Sequence, residues 1–304
     1  MTVLAGVPKA FLHFDMGENK AFRRQKYKAY TGKHGIQRTG QEKLFYADLL
    51  ACITYVSEYN QTPDFVIVAG GAPGVHFTRL VNMFPSSIEW HLYDPECFTH
   101  DLQDIANVHT HQQLYTQEDC SKWSKYSNTL FLSDIRNVNY TPNVEIITNL
   151  LHELSRIPRY TRSQWERKKA IELRTRIHKL RQELEEMTLD DMTNQAQMVR
   201  DTQAKMAFVK FRLPYVSHRT PQFYTYLKGT VLFQPMNRCN STECRLMVVR
   251  ENASVYADVH YDVLRHEEQC AFINNNMRPA WDKHAIQILQ DSYEALRSSQ
   301  LTNE

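Results

Sequence analysis

"DFVIVAGGAPGVHFTRLVNMF", residues 64–84, sets an apolar, β-branched run against a cluster of glycines, then a helical spacing of Val75, Leu80, Val81 and Phe84. That is the pattern of a strand, a tight loop and a helix. The theme recurs along the chain. "IEWHLYD" (88–94) and "TLFLSD" (129–134) are apolar runs that each end on an aspartate, and "MAFVKF" (206–211), "TVLFQ" (230–234) and "CRLMVV" (244–249) follow. Strands alternating with helices predict an α/β fold with a mostly parallel sheet, helices on both faces and ligands at the carboxyl ends of the strands. Asp94 and Asp134 then both face that crevice.

The chain reads as one domain over residues 1–304, with three additions. Residues 1–40 form an N-terminal basic extension, "KAFRRQKYKAYTGKHGIQR", able to meet RNA phosphates. Residues 161–205 form a helical insertion dense in charge and free of glycine and proline. Within it Leu173, Ile177, Leu180, Leu184 and Met187 repeat at heptad spacing, a seam for packing on the body or on another subunit. Residues 256–304 read as a C-terminal helical segment with a loop around "NNNMRPAWD".

A net charge of +2 gives no global field for nucleic acid, so any RNA affinity must come from local patches. The chain lacks a secretion-type apolar segment and 18 consecutive apolar residues, which leads us to expect an intracellular protein with no membrane partner. Its six cysteines are scattered without a CxxC pair, which implies reduced thiols and no metal framework. His109 and His111 could share a strand face, in an ordinary surface or core role.

GGAPG (70–74) departs from the dinucleotide pattern GxGxxG, and no Lys-Ser/Thr follows it to make a P-loop. It still offers backbone without Cβ at Gly70, Gly71 and Gly74, and Asp94 follows at the end of the next strand, where an acid commonly accepts the ribose hydroxyls of an adenosine cofactor. Lys43, Asp134, Lys210 and Glu243 then form an ordered series. Three of them lie in or beside core strands, where an unpaired charge is costly. Structural ion pairs are the plain alternative, yet a lysine inside "AFVKF" asks for a stronger reason.

A GGAPG loop followed by Lys, Asp, Lys and Glu resembles the RNA ribose 2′-O-methyltransferases. "GQEKL", "GGAPGVH", "LSDIR", "VKFRLPY", "TECRLM" and "ADVHYD" are similar, in order, to the motif blocks of the poxvirus cap-specific 2′-O-methyltransferase family, which doubles as the small, stimulatory subunit of poly(A) polymerase. The resemblance implies a Rossmann-like, S-adenosylmethionine-dependent methyltransferase fold. It puts the cofactor against Gly70, Gly71, Gly74 and Asp94, with Gln41 and His111 nearby and Asp134 at the sulfonium end. Where the family has an arginine near the cofactor this chain has Glu96, so that contact is not carried over. Lys210 would be the base or hydroxyl-orienting group, tuned by Lys43, Asp134 and Glu243.

For the cap, the resemblance implies Tyr215 as a stacking aromatic, Asp262 as an edge carboxylate, Phe22 as the second aromatic and Arg136 on the RNA. The expected function is methyl transfer from S-adenosyl-L-methionine to the ribose 2′-hydroxyl of the first transcribed nucleotide of capped mRNA. The alternatives are a cap-independent RNA 2′-O-methyltransferase and a non-catalytic poly(A) polymerase processivity subunit. Expected partners are capped mRNA and the poly(A) polymerase catalytic subunit, or self-association through residues 161–205. The expected setting is the host cytoplasm, in a viral factory, and the virion.

Overall fold

The β-branched and aromatic runs form strands close to where the sequence places them: β1 (Phe65–Ala69), β2 (Glu89–Tyr93), β3 (Val108–His111), β4 (Thr129–Ser133) and β5 (Met206–Phe211). The computed structural model describes residues 38–135, 140–158, 163–215, 221–237, 241–250 and 257–299. Beyond β5 come β6 (Phe223–Leu227), β7 (Thr230–Leu232), β8 (Cys244–Val249) and β9 (Asp258–Asp262). Seven strands make one sheet in the order β3-β2-β1-β4-β5-β8-β7, and β6 pairs with β9 in a separate ribbon. The pairs from β3 through β5 are parallel, and β8 alone runs against its neighbours on both sides. This is the Rossmann-like α/β architecture, with strand order reversing between β1 and β4.

Both faces of the sheet are covered, as parallel sheets require. Val66, Ile67 and Val68 alternate between the faces yet all are buried, and so are Leu130, Phe131 and Leu132 in β4. The helices are α1 (Arg38–Tyr59), α2 (Phe77–Val81), α3 (His100–Gln103), α4 (Gln117–Trp123), α5 (Tyr140–Ser155), α6 (Gln164–Thr202), α7 (Val263–Phe272) and α8 (Arg278–Ser299). Helix α1 packs on α8, β4 and β5, burying Leu49, Leu50, Ile53 and Val56. Thr116 and Asp119 close a reciprocal capping box at the start of α4.

Three elements differ from the sequence reading. The helix expected over 75–84 shrinks to α2, because Phe77 N donates to Gly74 O and the first residues after the glycines remain in the turn. "NNNMRPAWD" is no loop: Ile273–Met277 form a π-helical segment that leads directly into α8. Asn274 Nδ2 reaches outside the helix to donate to Ser241 O at 2.7 Å, and Asn276 Nδ2 donates one turn back to Phe272 O at 3.0 Å. The segment 256–304 is not wholly helical either, since "DVHYD" is β9, held against β6.

The chain divides into two compact units, residues 1–135 with 195–304, and residues 136–194. The insertion is thus more than one helix. In the second unit the seam residues Leu173, Ile177, Leu180, Leu184 and Met187 of α6 pack against Ile147, Leu150 and Leu154 of α5. The heptad pattern is satisfied within this unit, so the stripe expected to meet the body or another subunit already has a partner. Lys169 Nζ pairs with Glu153 Oε1 at 2.6 Å, an exposed contact worth little by itself.

Ile177 is buried in that cluster, so Ile177→Ala should destabilise the helical pair by about 2–5 kcal/mol. Urea denaturation followed by helical circular dichroism measures it. A change confined to sedimentation, with stability intact, would show that the seam serves an intermolecular contact instead.

Candidate active site

Parallel strands gather their carboxyl ends on one edge, and there the chain departs from regular structure. After β1 comes the GGAPG loop, after β2 Asp94 and after β4 Asp134, while Lys210 is the penultimate residue of β5. Strand β8 runs the opposite way, so its start lies on this same edge. Lys210 stands opposite Arg245, and Glu243 immediately precedes β8. Helix α1 adds Lys43.

The Lys, Asp, Lys, Glu series converges into one cluster. Lys43 Nζ lies 2.5 Å from Glu243 Oε1, and Lys210 Nζ lies 3.5 Å from Asp134 Oδ1 and 3.9 Å from Glu243 Oε2. Arg245, which the sequence reading passed over, contributes a third cation: its Nη1 is 3.0 Å from Asp134 Oδ1. Its side chain is 2% exposed, against 23% for Asp134 and 14% for Lys210, so the cluster has a sealed floor and a more accessible upper rim. Gln234 ties the floor together, donating from Nε2 to Glu243 Oε1 at 2.9 Å and accepting from Arg245 Nε at 2.9 Å.

Burial alone would raise both carboxyl pKa values. At Asp134 the cations, Lys210 first and then Arg245, outweigh burial and bring the value down to about 2. At Glu243 burial is outweighed by Lys43 foremost and then Lys210, leaving its pKa well below the usual carboxylate range. Both therefore carry a negative charge at neutral pH. Each also has a cation closer than Lys210, Lys43 for Glu243 and Arg245 for Asp134.

The glycine loop is braced from within. Gly70 has φ +85°, and a Cβ there would come within 2.9 Å of the Asp134 backbone carbon, so only glycine lets β1 and β4 splay at the switch point. At Gly74, φ +74°, a Cβ would meet Leu102 Cδ1 at 2.5 Å, while Gly71 sits close to Leu92 and Phe98. The Gly70 and Gly71 amides both donate to Tyr93 O. Asp94 accepts from Ala72 N at 3.1 Å and from Glu96 N at 2.9 Å, so it fastens the loop to the end of β2. A carboxylate has about four acceptor sites, which leaves room for a vicinal diol. Glu96 thus contributes its backbone here.

The remaining expected cofactor residues have partners of their own. Gln41 Oε1 accepts from His76 N at 3.4 Å and faces His76 Nδ1 at 3.0 Å, while His76 Nε2 meets Asp48 Oδ2 at 2.9 Å. This buried chain pins α1 to the loop. His76 and Asp48 went unread because a histidine beside glycines and an aspartate within a helix each look ordinary alone. His111 ends β3, and its carbonyl accepts from Asp94 N at 3.1 Å. Its ring stacks on Tyr93 at 4.3 Å, with Nε2 3.1 Å from His91 Nδ1. His109, expected without a cluster of its own, stacks on His91 at 4.5 Å and pairs with Glu89 at 2.6 Å.

Of the expected cap residues, Tyr215 follows β5, with the Arg212 guanidinium 4.5 Å above its ring. Asp262 ends β9 and caps α7, accepting from Arg265 N at 2.8 Å. Opposite it in the ribbon stands Phe223, 50% exposed, an aromatic that the sequence reading did not single out. Phe22 and Arg136 lie outside the described residues. A cavity of about 400 Å³, lined among others by Phe45, Arg79 and Tyr293, shares no residue with the charged cluster.

Residues 7–156 match the family described as poly A polymerase regulatory subunit. No curated protein matches the chain in sequence. Among solved structures, bluetongue virus VP4, described as a multifunctional RNA-capping production line, aligns at 14% identity and a TM-score of 0.44, over 79% of this chain and 33% of VP4. The chain spans about a third of the length of VP4.

The Asp134 pKa also governs acid stability. A folded value of about 2, below the ordinary 3.8, means that the unfolded chain takes up the proton first. The stabilisation is complete above the ordinary value and fades as pH falls toward the folded one. Denaturation midpoints measured downward from about pH 5 should therefore decline through that window, and less steeply in Asp134→Asn. Equal slopes in the two proteins would contradict the ion-pair arrangement.

Proposed function

We propose, from the match of residues 7–156 to the poly A polymerase regulatory subunit family, that the protein transfers a methyl group from S-adenosylmethionine to the ribose 2′-hydroxyl of the first transcribed nucleotide of capped mRNA. The observation that carries this reading is the position of Lys210. It stands at the strand edge beside the glycine loop, between two carboxylates that Lys43 and Arg245 each hold more closely. Those pairs give each carboxylate a partner other than Lys210.

The residues at the loop suit the cofactor. Asp94 would take the ribose diol, as its carboxylate sits at the end of β2 with acceptor capacity beyond its two backbone amides. Gly70 and Gly74 hold the backbone open beside Asp134. The cofactor would supply an electrophilic methyl carbon whose bonding electrons leave with sulfur. Lys210 would take the proton from the attacking 2′-oxygen, a step that requires it as the neutral amine. Tyr215 and Asp262 would read the cap, by stacking on the methylated guanine and by meeting its edge. Asp262 also caps α7, so its contribution is tested with asparagine, which retains the cap.

The family description supports a second reading, in which the chain serves as the regulatory subunit of a poly(A) polymerase. The two roles can coexist in one chain. A cap-independent 2′-O-methyltransferase would share the chemistry of the first reading.

Single-turnover methyl transfer to matched capped and uncapped RNAs tests the proposal, with nuclease digestion locating the methyl. Capped RNA should be preferred and the label should reside on the first ribose. Lys210→Ala should lose about 10²- to 10⁴-fold in rate with cofactor affinity retained, and Lys210→Arg should fare nearly as badly because guanidinium stays protonated. Near-normal turnover in Lys210→Ala would sink the mechanism. Equal labelling of capped and uncapped RNA would favour the cap-independent rival, and stimulation of a polymerase with no methyl transfer would favour the regulatory one.

A further inference from the structure

Beside Glu243 in the chain, at Cys244, three metal-ligating side chains meet in the core. Cys244 opens β8, and His266 and Cys270 lie one turn apart on the face of α7 that packs toward it. Their relative exposures are 0%, 4% and 2%. Cys244 Sγ and Cys270 Sγ are 3.7 Å apart, His266 Nε2 is 3.7 Å from Cys270 Sγ, and all three donor atoms lie within 4.8 Å of one another.

The two 3.7 Å separations are close to the edges of a tetrahedral metal site. A zinc ion with bonds of about 2.3 Å to sulfur and about 2.0–2.1 Å to nitrogen sets its ligands roughly 3.8 Å apart for two sulfurs and roughly 3.5 Å for sulfur and nitrogen. A disulfide would need its sulfurs at about 2.0 Å, and these are nearly twice as far apart. The Thr242 carbonyl oxygen stands at the same corner, 3.0 Å from His266 Nε2 and 3.7 Å from Cys270 Sγ. His266 Nε2 is thus within reach of both the Thr242 carbonyl and Cys270 Sγ, so the corner gathers an imidazole, a carbonyl and two sulfurs.

We propose that Cys244, His266 and Cys270 bind one zinc ion that fastens α7 to the start of β8. The chemistry selects this class of metal, because two thiolates and an imidazole in a tetrahedral arrangement suit zinc and exclude magnesium and calcium. The other group of metal-binding type among the described residues, Glu89, His91 and His109, is more exposed, and its two imidazoles stack face to face at 4.5 Å. Glu243 adjoins Cys244 in the chain, so the ion acts as a positioning element for the carboxylate that pairs with Lys43.

The sequence hides this site. Its two cysteines are 26 residues apart and come from different elements, which is why counting CxxC pairs suggested no metal framework. The metal-binding test does not depend on methyl transfer, so its failure is separable from failure of the functional reading.

The test uses the full-length, untagged protein, prepared under reducing conditions and without chelator, with Cys239 and the other thiols retained. Elemental analysis should find about one zinc per chain. Added Co²⁺ should give the visible absorption of a tetrahedral thiolate site, and Zn²⁺ should raise the melting temperature of metal-stripped protein. Cys270→Ser and His266→Ala should each lose the zinc and the cobalt spectrum, whereas Cys97→Ser, at an exposed thiol, should keep both. Should a ligand variant fail to fold, the cobalt spectrum and the melting shift of the wild type still decide the matter. Wild-type protein with no bound zinc, no cobalt spectrum and no melting shift would overturn the proposal. So would folded ligand variants that retain their metal, or a Cys244–Cys270 disulfide found by mass spectrometry in place of metal.

Discussion

Two largely buried carboxylates, Asp134 and Glu243, constrain the carboxyl edge of this sheet. A buried carboxylate without a cation is destabilising by several kcal/mol, so each must be held by a positive group in good geometry. Lys43 and Arg245 meet that requirement at 2.5 and 3.0 Å. Lys210 stands farther from both, at 3.5 Å from Asp134 and 3.9 Å from Glu243.

The fold makes this arrangement possible through one reversal. Had β8 run parallel to β5, Glu243 would begin at the opposite edge of the sheet, far from Lys43 and Asp134. Its antiparallel course sets Arg245 opposite Lys210 and delivers Glu243 to the same rim. On the other side of Asp134, the switch point between β1 and β4 opens the crevice that the glycine loop lines. Gly70 permits that opening because its missing side chain leaves room for the Asp134 backbone. Loop and cluster are thus neighbours by construction.

Much of this was legible in the sequence where local pattern and chemistry coincided. The strands at 65–69, 89–93, 129–133 and 206–211, the glycine loop and the four-residue charge series could be read because each breaks an apolar run in a way that needs a reason. Arg245 carried the same signal as Lys210, a cation inside an apolar run, yet its role depends on the cross-strand register, which no local pattern reveals. The heptad seam was visible but its partner was not, since α5 lies outside the stretch that shows the repeat. Asparagines at 274–276 read as a loop, whereas here they lie in a π-helical segment in which the Asn274 amide bonds to the distant Ser241 carbonyl. The Cys244, His266 and Cys270 corner exists only once α7 is docked on β8.

The central claim is that Lys210 meets the reacting ribose at this edge. A crystal structure with S-adenosylhomocysteine and a short capped RNA tests it most directly. The account predicts the 2′-oxygen of the first transcribed nucleotide within hydrogen-bonding reach, about 2.6–3.2 Å, of Lys210 Nζ, with the ribose of the bound nucleoside on Asp94. An RNA bound with that oxygen elsewhere, or a base facing Lys210, would contradict it.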